Sequence, residues 1–202
     1  MSERGKQLMR GAETKAEIIA VADRLFYQGG FEHTSFAEIA AAVNIARGNF
    51  YYHFKSKDEI LAAVIARRMA STTALLESWR REIDSPRARL SAFVNILAAN
   101  GDKIMRYGCP VGSLATELSK LMHAAREAAV GLFDLFRDFL AEQFAALGCA
   151  KAEALALHLL MRSQGVAVLA TAYRDPDYVA AEMAAMEDWI DREIARGTAA
   201  RA

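Results

Sequence analysis

The stretch from Thr34 to Lys57, TSFAEIAAAVNIARGNFYYHFKSK, leaves this chain few choices. Phe36, Ile39, Ala40 and Val43 fall at i, i+3, i+4 and i+7, the apolar stripe of a short helix. Thr34 or Ser35 can cap that helix, and Glu38, three residues after Ser35, fits a capping box. Asn44 interrupts the pattern. Asn tolerates a left-handed backbone better than other side chains, so Val43-Asn44-Ile45 predicts a tight turn with Ile45 packed inward. A second helix is expected over 46–52, crowded with Arg47, Gly48, Asn49, Tyr51, Tyr52 and His53. Two helices joined by so short a turn, the second rich in hydrogen-bonding side chains, make the helix-turn-helix that reads DNA. Aromatic residues at helical spacing more often pack a core, and a lone His more often packs structurally. The order from Gly48 to Lys57 tips the balance toward DNA.

Around this tract the chain offers material for a substantial core and little for other functions. Apolar residues make up 53% of its 202 residues, enough for one large domain or two small ones sharing a core. Net charge is zero, with a weak basic excess in residues 1–57, which argues against a general nucleic-acid coat but leaves room for a small basic face. No apolar run approaches the roughly 18 residues of a membrane span, and residues 1–15 are too polar for a secretory leader. The expected compartment is therefore cytoplasmic, with no membrane partner. Cys109 and Cys149 are too few for a disulfide framework.

The tract resembles the DNA-binding domain of the TetR family of bacterial repressors. That family's order is an apolar-Ala pair, a turn, a small or basic residue, Gly, a variable residue, an apolar residue, Tyr, any residue, His-Phe, then Lys. Here it reads Ile39-Ala40, Asn44-Ile45, Ala46-Arg47, Gly48, Asn49, Phe50, Tyr51, Tyr52, His53-Phe54 and Lys57. Asn44 departs from the usual Gly and can take the same backbone. The resemblance implies an all-α, nine-helix architecture with an N-terminal three-helix head. Residues 1–12 are expected to be a flexible basic arm, 13–56 the helix-turn-helix domain, and 57–202 the ligand-binding and dimerisation domain.

The remaining periodicity agrees. A first helix spans 14–28, ended by Gly29-Gly30. Further helices are expected over 57–82, 86–106 (opened by Pro86), 113–123, 124–147, 151–174 and 178–196, with 107–112 as a break. The helix over 151–174 is apolar on more than one side and must be covered on opposite faces.

These features assign roles. Arg47 and Asn49 are the expected base readers, Arg suiting guanine and Asn adenine. Gly48 lets the backbone approach the duplex. Thr34, Tyr51, Tyr52, His53 and Lys57 are expected on phosphates, and Phe50 and Phe54 in the core. One head covers few base pairs, so a homodimer on a double-stranded operator is expected. In the family two helices from each subunit form a four-helix bundle, which here points to Leu169, Tyr173, Met183, Met186 and Ile190. The middle helices should enclose a pocket for a small-molecule inducer, with Phe93, Asn100, Met105, Cys109, Met122, Phe133, Phe136, Met161 and Gln164 as candidate lining. Gly108-Cys109-Pro110-Val111, continuing through Leu114, Ala115 and Glu117, resembles a subgroup of the family, some of whose members answer electrophiles, oxidants or acrylate-like acids and others drug-like aromatics. Cys109 precedes an expected helix start, a position that favours thiolate reactivity; it is either an electrophile sensor or a buried structural cysteine.

Enzyme chemistry finds no support. His33, His53, His123 and His158 have no metal-ligand spacing with the cysteines. Gly112-Ser113-Leu114 is not a nucleophile elbow, and there is no phosphate-binding glycine loop. No cofactor or metal is expected. Two alternatives remain: an architectural or division-related DNA binder without an inducer, and an all-helical protein that never meets DNA.

Overall fold

A computed structural model describes residues 3–45 and 47–199. Among the described residues there are helices and no strands: α1 (Glu3–Gly29), α2 (Phe36–Val43), α3 (Arg47–His53), α4 (Lys57–Glu82), α5 (Pro86–Ala99), α6 (Gly101–Tyr107), α7 (Pro110–Lys120), α8 (Arg126–Ala146), α9 (Ala152–Tyr173) and α10 (Pro176–Ala199). The single helix expected over 86–106 is two, α5 and α6, parted at Asn100, whose side-chain amide turns back to donate to the Ile96 carbonyl. Counting that pair as one arm, the nine-helix arrangement stands. Helix α1 begins at Glu3, within the stretch expected to be an arm. Helix α7 starts at Pro110, three residues before the expected Ser113, because Pro fits the first turn of a helix, where its missing N–H has no partner to lose.

The chain divides into two compact units, and the boundaries differ from those expected. The first unit runs to Met69 and takes in Leu114–Ala129; the second comprises Ala70–Ser113 and the chain from Val130. Helices α4, α7 and α8 each contribute to both.

In the first unit α1 packs on α2, and Ile18, Ala22 and Phe26 of α1 and Ile39 and Val43 of α2 are all buried. Phe31 meets Phe26 edge to face, and Phe36 meets Phe50 likewise. Phe50 and Phe54 are buried, as their spacing predicts. Ser35 is the cap of α2: its hydroxyl accepts the Glu38 N–H at 3.1 Å and the Glu38 carboxylate accepts the Ser35 N–H at 2.6 Å. Asn44 closes α2 in the left-handed conformation, φ 55°. Ser35→Ala should lower the unfolding free energy by about 1 kcal/mol, read from denaturant midpoints. The hydrogen bond from the Ser35 main chain is the leading cause that holds the Glu38 carboxyl below its ordinary range. That contribution is therefore present above the ordinary carboxylate pKa and disappears as pH falls through the depressed one.

In the second unit Leu90, Phe93, Val94 and Leu97 of α5 pack with Phe139, Leu140 and Phe144 of α8, Leu159 and Val166 of α9, and Met186 and Ile190 of α10. Met186 and Ile190 are fully buried here. They belong to the subunit's own core and not to a dimer face, a correction to the expectation. Buried Gln143 is satisfied by the Arg89 guanidinium, which also holds the carbonyls of Ile83 and Arg80.

Helix α9 is long and apolar enough, by length and composition, to cross a membrane, although no stretch of the chain was expected to be. Its apolar residues divide between two faces. Ala156, Leu159, Leu160, Val166, Ala167 and Ala170 are in the core, while Leu157, Met161, Val168, Leu169 and Tyr173 are exposed. On its flank Arg162 pairs with Glu182 at 3.0 Å.

Candidate functional site

The second helix of the motif, α3, is anchored by Phe50 and presents its other side outward. Gly48 and Asn49 are exposed. A side chain added at Gly48 would meet nothing within 4 Å, so the helix surface is open there. Tyr52 is 76% exposed with its ring against His53. Tyr51 is partly exposed and leans on Phe36. Exposed aromatic and amide groups on one short helix can donate and accept along a groove, and they have little packing reason to be there. Ala46 and the Arg47 side chain lie outside the described residues.

Two expected phosphate contacts are placed elsewhere. Thr34 is buried, its hydroxyl donating to the Gly30 carbonyl at 2.7 Å. Lys57 donates from Nζ to the carbonyls of Phe31 (2.9 Å) and Glu32 (3.2 Å), with the ammonium 4.3 Å from the centre of the Phe31 ring. Both side chains fasten the α1–α2 turn.

That turn is gripped from a third direction. Glu117 of α7 accepts the Phe31 N–H and the Glu32 N–H, each at 2.9 Å, one on each carboxylate oxygen. Gly30 sits at φ +86°, and a Cβ there would lie 3.0 Å from Glu117 Oε1. The sequence could not show this grip, because the partners are 86 and 85 residues apart.

In the second unit a cavity of about 140 Å³ is lined by Phe93, Ile96, Leu97, Asn100, Ile104, Cys109, Pro110, Val111, Phe133, Phe136, Leu160, Ser163, Gln164 and Ala167. Six expected lining residues are brought together: Phe93, Asn100, Cys109, Phe133, Phe136 and Gln164. Three are not. Met105 lines a separate open cleft with Pro176 and Met183. Met122 is 90% exposed in the α7–α8 turn of the other unit, and Met161 is 56% exposed on α9. The wall is three Phe rings and aliphatic groups with a few neutral polar side chains, and none of the residues lining it carries a charge. Cys109 Sγ accepts the Gly112 N–H at 3.5 Å at the start of α7. Cys149 is buried.

Of the expected dimer residues, Leu169 and Tyr173 are exposed on α9, whereas Met183 is half-buried. The described residues contain no cluster of His, Cys, Asp and Glu able to hold a metal ion.

An all-helical chain that presents such a helix and encloses such a cavity is a helix-turn-helix DNA-binding regulator. Residues 18–64 match the family described as bacterial regulatory proteins, tetR family, and residues 86–185 match the LmrA/YxaF-like transcriptional regulator C-terminal domain. The chain belongs to the TetR family. It is 34% identical over 136 residues to an uncharacterised HTH-type transcriptional regulator in the lacX 3' region of Lactococcus lactis, covering 66% of this chain and 69% of that one. It is 42% identical to the regulator TtgR of Pseudomonas putida over only 53 residues, 26% of this chain and 25% of that one. Among solved structures, an Agrobacterium tumefaciens TetR-family regulator has a TM-score of 0.78 at 20% identity, covering 88% of this chain and 97% of that one. Reduced Escherichia coli NemR has a TM-score of 0.73 at 19% identity, covering 87% and 96%. At those identities the likeness is one of fold. Members of the family are DNA-binding transcriptional regulators rather than enzymes, and dimers that take small-molecule ligands are typical of it.

Proposed function

We propose that this chain is a repressor that holds a two-half-site operator as a homodimer in the cytoplasm and is released when a small uncharged compound enters the cavity. The observation that carries the reading is the cavity's chemistry. Its volume is close to the roughly 150 Å³ of an apolar protein cavity known to accept benzene. Phe93, Phe133 and Phe136 offer ring faces, and Gln164, Ser163 and Asn100 offer neutral hydrogen-bonding groups. A charged ligand would lose its hydration with no opposite charge to receive it, which costs several kcal/mol.

Exposed Asn49 and Tyr52 on α3, with Gly48 between helix and duplex, support the DNA contact. The exposed apolar face of α9, continuing to Leu169 and Tyr173, supports the dimer. Release follows a two-state scheme: ligand favours an arrangement of the two heads that no longer fits successive major grooves, with a coupling of roughly 1–3 kcal/mol.

The test uses operator fragments selected in vitro. Phenol should bind and release DNA, whereas benzoate should bind at least about 100-fold more weakly by calorimetry, as the lost hydration requires. Equal binding of the two would sink the neutral-ligand reading. The electrophilic branch has its own check. If mild N-ethylmaleimide releases DNA while mass spectrometry finds Cys109 unmodified, Cys109 is not the sensor.

A further inference from the structure

Two spaces in the second unit meet across the end of α5. Leu97 and Asn100, at i and i+3 and so on one side of the helix, line the cavity of about 140 Å³ and also the open cleft beside it, of about 430 Å³. The cavity alone is smaller than the roughly 300–1,000 Å³ of ordinary small-molecule sites, and the two spaces together fall within that range. We infer that they are halves of one ligand site: the cavity takes an uncharged aromatic ring, and the cleft takes an aliphatic arm attached to it. This rests on the neutral-ligand reading above and names the class of compound, an alkyl-substituted phenol rather than a bare ring.

The cleft suits a hydrocarbon arm. Val179 and Met183 of α10 face Leu97 of α5 and Met105 of α6 across it. Leu97 and Val179 are buried and the two methionines half-buried, whereas Ala98 and Ala180, also in the lining, are small and exposed. Bulk at the base and small residues at the lip leave a trough, and methionine side chains adjust to an irregular guest. A Cβ added at Gly101 would meet nothing within 4 Å, so the space is open where α6 starts. The charged members of the lining, Asp102 and Lys103, are exposed, and an arm along the base takes neither away from water.

The wall between the two spaces can part at little cost. Asn100 stands where α5 ends and α6 begins. Its side-chain amide donates to the Ile96 carbonyl at 3.2 Å, and its main-chain N–H donates to that same carbonyl at 3.1 Å. Swinging the amide aside therefore leaves no carbonyl orphaned, and the exposed amide finds water in its place. Leu97 belongs to the buried core and stays. Asn100 is thus the movable part of the wall and sits at the join between ring and arm. Ser163 and Gln164 of α9, which line the cavity alone, remain for the ring's hydroxyl.

The experiment compares phenol with 4-hexylphenol on the full chain by calorimetry. A fully buried methylene strengthens binding about fourfold and a half-covered one about twofold, so 4-hexylphenol should bind at least about tenfold more tightly than phenol. Ala180→Trp fills the cleft from its lip. It should bring 4-hexylphenol to within about threefold of phenol and leave phenol itself unchanged. In protein labelled at the methionine methyls, the end of the hexyl arm should show magnetisation transfer to Met105 and Met183. No gain from the arm overturns the inference, as does a gain that survives Ala180→Trp. An Ala180→Trp protein that weakens both compounds alike overturns it too, and so does an arm that touches neither methionine. If Ala180→Trp does not fold, Ala98→Trp fills the cleft from α5 and is held to the same criteria. Phenol that does not bind at all sinks the bare-ring reading of the cavity, while 4-hexylphenol and its contacts with Met105 and Met183 still decide the cleft.

Discussion

Replacing Gly165 with arginine is expected to leave a folded monomer whose operator affinity has fallen by about 100-fold or more. Gly165 lies mid-helix in α9, where glycine costs about 1 kcal/mol relative to alanine. Nothing in its own subunit needs that glycine: a Cβ there would meet no atom within 4 Å. It sits on the exposed stripe with Leu157, Met161 and Val168, and Val168 is 67% exposed. A bare backbone spot in the middle of an outward apolar face is what close approach of a second helix requires. Around a two-fold axis the same stripe meets its own copy, so one substitution places two guanidinium groups at the contact. The half-sites are then bound separately, and the effective-concentration advantage of linked heads, commonly 10²–10⁴-fold, is lost. Sedimentation equilibrium and a mobility-shift titration read the two effects. A Gly165→Arg protein that remains dimeric would show that the subunits meet through another surface.

Asn49→Ala should lower affinity for the selected operator by about 30-fold or more while leaving the melting temperature unchanged. Asn49 is exposed and α3 is held by Phe50, so the fold does not depend on the amide. A bidentate Asn–adenine contact contributes about 1–3 kcal/mol of discrimination, and a dimer makes it twice. The loss should appear as relaxed preference at one base pair in each half-site, with the salt dependence of binding retained, since no phosphate contact has gone. Tyr52→Phe should instead weaken all sequences alike, as expected of a hydroxyl that contacts phosphate. Undiminished preference in the Asn49→Ala protein would remove Asn49 from the base readers.

The head was the legible part of this chain because its determinants are local. Ser35 and Glu38 cap α2 from within one turn, Asn44 sets the left-handed stop, and Phe50 and Phe54 fall at the spacing that buries them. What escaped the sequence depends on distance or on choosing between faces. The break at Asn100 has no proline to announce it. Helix α9 is apolar all round, so periodicity cannot say which side meets the subunit's own core, and on α10 it assigned Met186 and Ile190 to a mate when they face inward. Lys57 keeps its place in the motif, but its ammonium is bonded to main-chain carbonyls of residues far back in the chain. Glu117 is the extreme case: a carboxylate that looks like one more surface charge on α7 until the fold brings Phe31 and Glu32 to it.

For the release proposed above, the uncharged lining around Phe93, Phe133 and Phe136 has a physiological corollary. Compounds that shed water easily enough to settle there also dissolve in lipid, and so reach a DNA-bound protein without a carrier. A switch with such a receptor responds at the pace of passive permeation, and it reports the chemical surroundings of the cell as much as its metabolism.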